Sequence, residues 1–91
     1  MNKLFVYGIF LGERARRHYG MSSPEYDTVE DYATIGNTIV WAVEERGYTL
    51  SGLVVDVDPS YWAKIDSLEH GYKRIIVTTT HGIKTFMYVG G

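Results

Sequence analysis

The stretch Asp58-Pro59-Ser60-Tyr61-Trp62-Ala63-Lys64-Ile65-Asp66-Ser67-Leu68-Glu69-His70-Gly71-Tyr72-Lys73-Arg74 holds a complete helix and the start of a strand. Asp58 can cap free N–H groups, and Pro59 suits the first helical position. Tyr61, Ile65 and Leu68 fall at i, i+4 and i+7 with Trp62 beside them, an apolar stripe that needs a covering surface. The helix is expected to reach Glu69 or His70, where Gly71 stops it. Beyond it, Arg74 to Thr80 and Ile83 to Val89 read as two strands joined tightly through His81-Gly82.

Working towards the N-terminus, Leu50 to Val57 reads as a strand with Leu53, Val55 and Val57 on one face. Gly52 within it marks a bulge or a close backbone approach. Thr38 to Val43 alternates, with Ile39, Trp41 and Val43 on one face, and Glu44-Glu45-Arg46-Gly47 reads as a hairpin connection. Lys3 to Gly8 reads as a short buried strand, and Gly12 to Gly20 as a short helix stopped by Gly20. Ser22 to Asp31 is polar, acidic and contains a proline, so it reads as a surface loop. Strands outnumber helices, which predicts an α+β domain with a curled antiparallel or mixed sheet able to close on itself.

The chain has 91 residues, room for one domain, here 1–91. Apolar residues make up 45% and charged residues 22%, as in ordinary globular proteins. The absence of cysteine excludes disulfide scaffolds, thiolate metal sites and thiol nucleophiles. No apolar run approaches the roughly 18 residues of a membrane span, and Leu4 to Tyr7 is too short for a signal peptide. A net charge of −2 does not favour a polyanion surface, so a cytoplasmic, soluble protein is expected. Aromatic residues reach 14%. Trp41, Trp62, Tyr61 and Phe86 are expected in the core, and Tyr7, Phe10, Tyr72 and Tyr88 beside a site.

Two local features carry chemistry. Asp66 and Glu69 are neighbours at i and i+3, and Glu69 falls in the last helical turn, where the macrodipole is negative. Both effects raise the Glu69 pKa, unless Arg74 or Lys73 compensates. Separately, Tyr7-Gly8-Ile9-Phe10 follows a buried strand and precedes a helix, so its backbone N–H groups can face an anion. His18, His70 and His81 have no metal-ligand spacing. Arg14, Arg16 and Arg17 read as a solvated helix face or a phosphate contact. No Walker, dinucleotide or nucleophile-elbow motif occurs.

The order of these pieces resembles the γ-glutamylcyclotransferase-like family, which includes the γ-glutamylamine cyclotransferases and the plant avirulence-induced-like proteins. The resemblance is carried by Leu4-Phe5-Val6-Tyr7-Gly8-Ile9-Phe10, by Leu50 to Val57, by Ile65-Asp66-Ser67-Leu68-Glu69-His70-Gly71, by Tyr72-Lys73-Arg74 and by Tyr88-Val89. It implies a small closed or nearly closed mixed β-barrel with two flanking short helices and one pocket at the barrel mouth. It also implies that Tyr7, Gly8, Ile9 and Phe10 bind substrate through backbone N–H groups, that Glu69 is the acid/base, and that Tyr72 and Tyr88 form the walls. Ile9 and Phe10 stand where the family usually has a small hydroxyl residue and a leucine, and His70 displaces the usual glycine to Gly71.

The activity so implied is cyclisation of a γ-glutamyl amine or related small amide to 5-oxoproline, with no metal or cofactor. The alternative is a non-catalytic domain that keeps the pocket for a small ligand or binds a protein. The expected partner is a small γ-glutamyl-type molecule, not nucleic acid or a membrane; a homodimer or a protein partner is left open.

Overall fold

The computed structural model describes residues 1–36 and 40–90. Strand β1 (Lys3–Val6) leads through a 3₁₀ turn at Ile9–Leu11 into helix α1 (Glu13–His18). Two long strands follow, β2 (Met21–Ile35) and β3 (Trp41–Val57). A 3₁₀ turn at Pro59–Tyr61 opens helix α2 (Trp62–Leu68), and β4 (Tyr72–Thr78) and β5 (Lys84–Gly90) complete the sheet. Asp58 caps the α2 segment as its sequence predicts, its carboxylate accepting from the Ser60 N–H at 3.0 Å. Among the described residues no helix is long and apolar enough to cross a membrane.

The five strands form one mixed sheet in the order β2-β3-β1-β5-β4. β1 is the hinge of this arrangement: it runs antiparallel to β3, with Leu4 opposite Val55, and parallel to β5, with Leu4 opposite Phe86. Beyond the end of β1, β3 and β5 meet directly at Ala42 and Val89. A strand in this central position is apolar on both faces, and β1 divides accordingly. Leu4 and Val6 join Val55, Val57, Ile65 and Tyr88 on the face covered by the helices. Phe5 joins Val29, Ala42, Leu50, Val54 and Met87 on the other face. Gly52 marks a close approach: a β-carbon there would collide with the Val6 carbonyl oxygen and the Phe5 ring.

The sheet curls without closing. Among the described residues no ladder joins β2 to β4, but the edges are tied at one end, where the Thr80 N–H donates to the Thr28 carbonyl at 2.8 Å. The Thr28 hydroxyl also donates to that of Thr80 at 2.6 Å. Asp27, 2% exposed, reinforces the tie by accepting from the Thr28 N–H at 2.7 Å and the His81 N–H at 3.3 Å. Of the closed and nearly closed forms expected, the nearly closed one is present.

Two local expectations are corrected. Ser22 to Asp31 is strand, not loop. β2 is an edge strand and most of its polar residues face solvent, buried Asp27 excepted, and Pro24 falls in the register shift between Ser22 and Glu25, where no ladder N–H is required. Glu44 to Gly47 is not a hairpin connection either. The register passes from Glu30 opposite Thr49 to Tyr32 opposite Glu44, so residues 45–48 bulge out of a continuous β3. Gly47 supplies the positive φ that the bulge needs, and its N–H donates to the Asp31 carboxylate at 3.0 Å. Thr38 and Ile39, assigned to the strand beginning at Thr38, lie outside the described residues. Trp41 and Val43 are half-buried, and the fully buried position between them is Ala42.

Candidate functional site

The C-terminal end of β1, the turn after it and the C-terminal end of α2 converge on one cavity of about 540 Å³. Tyr7, Gly8, Ile9, Phe10, Glu69, Tyr72 and Tyr88 all line it, so the residues that the family resemblance assigns to the site stand at one place. They come from four parts of the chain, the Tyr7–Phe10 turn, the end of α2, β4 and β5, held by the adjacency of β1 to β5 and of α2 to β4. The lining also includes Val40, Leu68 and His70.

The three tyrosines form the frame. Tyr7 donates its hydroxyl hydrogen to the Tyr88 carbonyl at 2.6 Å and accepts from the Ala42 N–H at 3.0 Å. Tyr72 donates to the Val40 carbonyl at 2.9 Å, and Tyr88 donates to the Asp66 carboxylate. With its hydroxyl hydrogen committed to the fold, each ring serves as a fixed wall. Burial pushes the Tyr7 phenol up to about 12; the Ala42 N–H opposes this, and Glu69 and Tyr72 add to it. Tyr72 is raised by burial and then by the charge of Glu69, and Tyr88 by burial and then by Asp66. All three phenols therefore stay protonated near neutrality.

Glu69 forms the C-cap of α2 and is half-buried. Its pKa is raised, as the spacing predicts, but the cause is burial in the cavity wall. Asp66 contributes little because it is engaged elsewhere, with Tyr88 and with Arg74 at 3.6 Å. Arg74 therefore compensates Asp66, and its guanidinium also lies over the Trp62 and Phe86 rings, 4.5 and 4.7 Å from their centroids.

The Tyr7–Phe10 turn leaves two N–H groups out of its own backbone bonds. Its first backbone bonds are from Leu11 N to Gly8 O at 3.0 Å and from Gly12 N to Ile9 O at 3.2 Å, so the N–H groups of Ile9 and Phe10 precede the first bonded donor. No side chain caps the turn. Arg16, read in the sequence as part of a solvated or phosphate-facing cluster, instead clamps this turn from α1. It donates to the Phe10 and Leu11 carbonyls at 3.0 and 2.7 Å.

Sequence reasoning missed Asp66 as the anchor of Tyr88, Arg16 as the clamp and Val40 as the partner of Tyr72. The division of the aromatics is also partly reversed. Phe10 and Tyr88 are 3% and 6% exposed, whereas Trp41, Tyr61, Trp62 and Phe86 are only half-buried. A cavity wall in so small a domain is also its core. Leu68, placed on the apolar stripe of α2, is 44% exposed at the cavity. Among the described residues no cluster of three or more His, Asp or Glu side chains could hold a metal ion.

Comparison with solved structures extends the fold assignment. An uncharacterised protein of Pyrococcus horikoshii superposes with a TM-score of 0.83 at 25% identity, over 100% of this chain and 79% of that one. A protein named gamma-glutamyl cyclotransferase gives a TM-score of 0.77 at 17% identity, over 99% of this chain and 66% of that one. An uncharacterised human protein gives 0.78 at 21% identity, over 99% and 66%. No curated protein matches in sequence. The family model described as gamma-glutamyl cyclotransferase, AIG2-like, matches residues 4–90, nearly the whole sequence that carries the strands, the turn and Glu69. The chain belongs to the gamma-glutamyl cyclotransferase, AIG2-like family.

Proposed function

We propose that the protein cyclises a γ-glutamyl amine or related small amide to 5-oxoproline, releasing the amine, with Glu69 as the acid/base. The observation that carries this reading is that Glu69, its pKa raised, lines the same cavity as the Tyr7–Phe10 turn. Family membership supplies the reaction class.

The chemistry follows from the substrate. In its neutral form the α-amine attacks the γ-carbonyl carbon, a new C–N bond closes the five-membered ring, and the original amide C–N bond breaks. One proton passes from the attacking to the leaving nitrogen. A carboxylate within about 3 Å of both nitrogens can take it and return it, and a raised pKa strengthens it as a base. The reaction is intramolecular, so walls that fold the substrate into its cyclising shape supply much of the rate. Tyr7, Tyr72 and Tyr88, fixed by their hydroxyl bonds, are such walls. The Ile9 and Phe10 N–H groups are available to the substrate's anionic part, and this contact does not depend on the side chains that depart from the family pattern.

The test is release of 5-oxoproline from γ-glutamyl amines, γ-glutamyl amino acids and γ-glutamyl-ε-lysine by wild type and by Glu69→Gln. Turnover abolished in a folded variant supports the reading. Ligand binding without turnover, unchanged in Glu69→Gln, would instead support the non-catalytic alternative.

A further inference from the structure

We propose that β4 is the contact edge of a closed homodimer, in which a second copy of this chain pairs its own β4 antiparallel to the first across a two-fold axis at Ile76. The inference is independent of the cyclotransferase reading and concerns the edge of the sheet.

The two edge strands differ in how they are protected. An open edge offers unpaired N–H and C=O groups to any other strand, and proteins blunt it with proline, bulges or charge. β2 has all three: Pro24, register shifts between Ser22 and Glu25 and between Glu30 and Tyr32, and the exposed carboxylates of Glu25, Glu30 and Asp31. β4 has neither proline nor a register shift, and pairs with β5 without interruption from Tyr72 opposite Gly90 to Thr78 opposite Lys84. Its two charges, Lys73 and Arg74, both lie at one end. Among the described residues no hydrogen bond reaches the side of Lys73–Thr78 that faces away from β5, the tie at Thr80 lying beyond the end of the strand.

The middle of this open edge is Ile75, Ile76 and Val77, three consecutive β-branched apolar residues, none of them buried. Ile75 and Val77 pack against the core cluster that holds Phe5 and Met87, while Ile76, opposite Phe86 in the ladder, is 57% exposed. Side chains of this kind gain from a neighbouring strand that covers them.

The strand that fits is β4 itself, reversed. With antiparallel pairing centred on Ile76, Ile75 meets Val77 of the second copy and Ile76 meets its own equivalent, each pair on a single face as the two-residue period requires. Arg74 falls opposite Thr78, a neutral residue. The two copies of Arg74 are then four strand positions apart, about 13 Å, which exceeds the Debye length at physiological salt. Centring one residue to either side is worse, setting Arg74 against Ile76 or Ile76 against Thr78. The two-fold consumes both β4 edges and the blunted β2 accepts no further strand, so assembly stops at the dimer.

Sedimentation of the full chain from about 1 to 300 μM, a range suited to a small interface, is expected to show a monomer–dimer equilibrium. Ile76→Lys, at an exposed position, sets two cations face to face and is expected to weaken dimerisation by about tenfold or more. The chain has no cysteine. Ile76→Cys is therefore expected to give a disulfide-linked dimer under a mild oxidant, whereas Glu25→Cys, on β2, is not. A wild-type chain that stays monomeric throughout the range overturns the proposal, as does a dimer left intact by a folded Ile76→Lys variant. Cross-linking through Glu25→Cys in place of Ile76→Cys overturns the assignment to β4. Oligomers that keep growing with concentration overturn the closed two-fold.

Discussion

Tyr88 of β5 donates its hydroxyl hydrogen to Asp66 of α2, and so ties a wall of the cavity to the helix that ends at Glu69. Arg74 closes the unit from the other side, paired with Asp66 and lying over Trp62 and Phe86. Tyr88→Phe is expected to cost about 1 kcal/mol, and Asp66→Ala about 2 kcal/mol, because the latter strands a phenol and a guanidinium together. Urea denaturation of both single variants and the double variant should give a coupling energy of about 1 kcal/mol. Strict additivity would show that the bond contributes nothing.

Glu69 should reveal itself in the pH dependence. An ionised carboxylate is required to take the proton, so kcat/KM should fall on the acid side with an apparent pKa above the ordinary 4.5 of a glutamate. Glu69→Gln should lower turnover by about 100-fold or more. Because the folded-state pKa is raised, the stability this group contributes is lost as pH rises through that value. At neutral pH the Gln variant should therefore melt at the same temperature as wild type or higher. A lower Tm would mean that Glu69 has a structural role.

Arg16→Met keeps the aliphatic stem and removes the donors to the Phe10 and Leu11 carbonyls. Stability should drop by about 1 kcal/mol. If the turn N–H groups bind substrate, KM should rise several-fold with kcat nearly unchanged. A change confined to kcat would remove the turn from the binding role.

Asp27 is a separate, structural prediction. Burial pushes its carboxyl up, but hydrogen bonds from Thr79, Thr28 and His81 outweigh this and hold the pKa below the ordinary 3.8. Its stabilisation is thus full above that ordinary value and is lost as pH falls through the lower, folded one. Asp27→Asn should cost about 2 kcal/mol at neutral pH. The gap from wild type should close in acid, as followed by denaturant midpoints across the range; a pH-independent gap would refute the assignment.

What could be read in the sequence was whatever local chemistry determines. The Asp58-Pro59 start, the Gly71 stop and the 3.6-residue period place α2 and hence Glu69, and apolar β1 with Tyr7-Gly8 behind it places the turn. Gly52 could be read as a close approach, although its partners, Phe5 and Val6, are set by strand order alone. β2 was not legible, because an edge strand facing water has no apolar period to display and its Pro24 mimics a loop. Gly47 signalled a positive φ correctly, but the same signal serves a turn or a bulge, and only the register with β2 distinguishes them. The roles of Asp66 and Arg16 were hidden for another reason. Each depends on a carbonyl or hydroxyl brought near by tertiary structure, which spacing along one helix does not encode.

The two bonds of the Tyr7 hydroxyl carry a consequence for how the site comes into being. Its partners lie 35 and 81 residues further along the chain, at Ala42 and Tyr88. During synthesis the turn and the helices can take shape early, since their contacts are local. The cavity has no far wall until β5 has left the ribosome and slotted in beside β1. Pairings of such long sequence separation are slow to form, so the cavity is expected to be among the last parts of the molecule to mature.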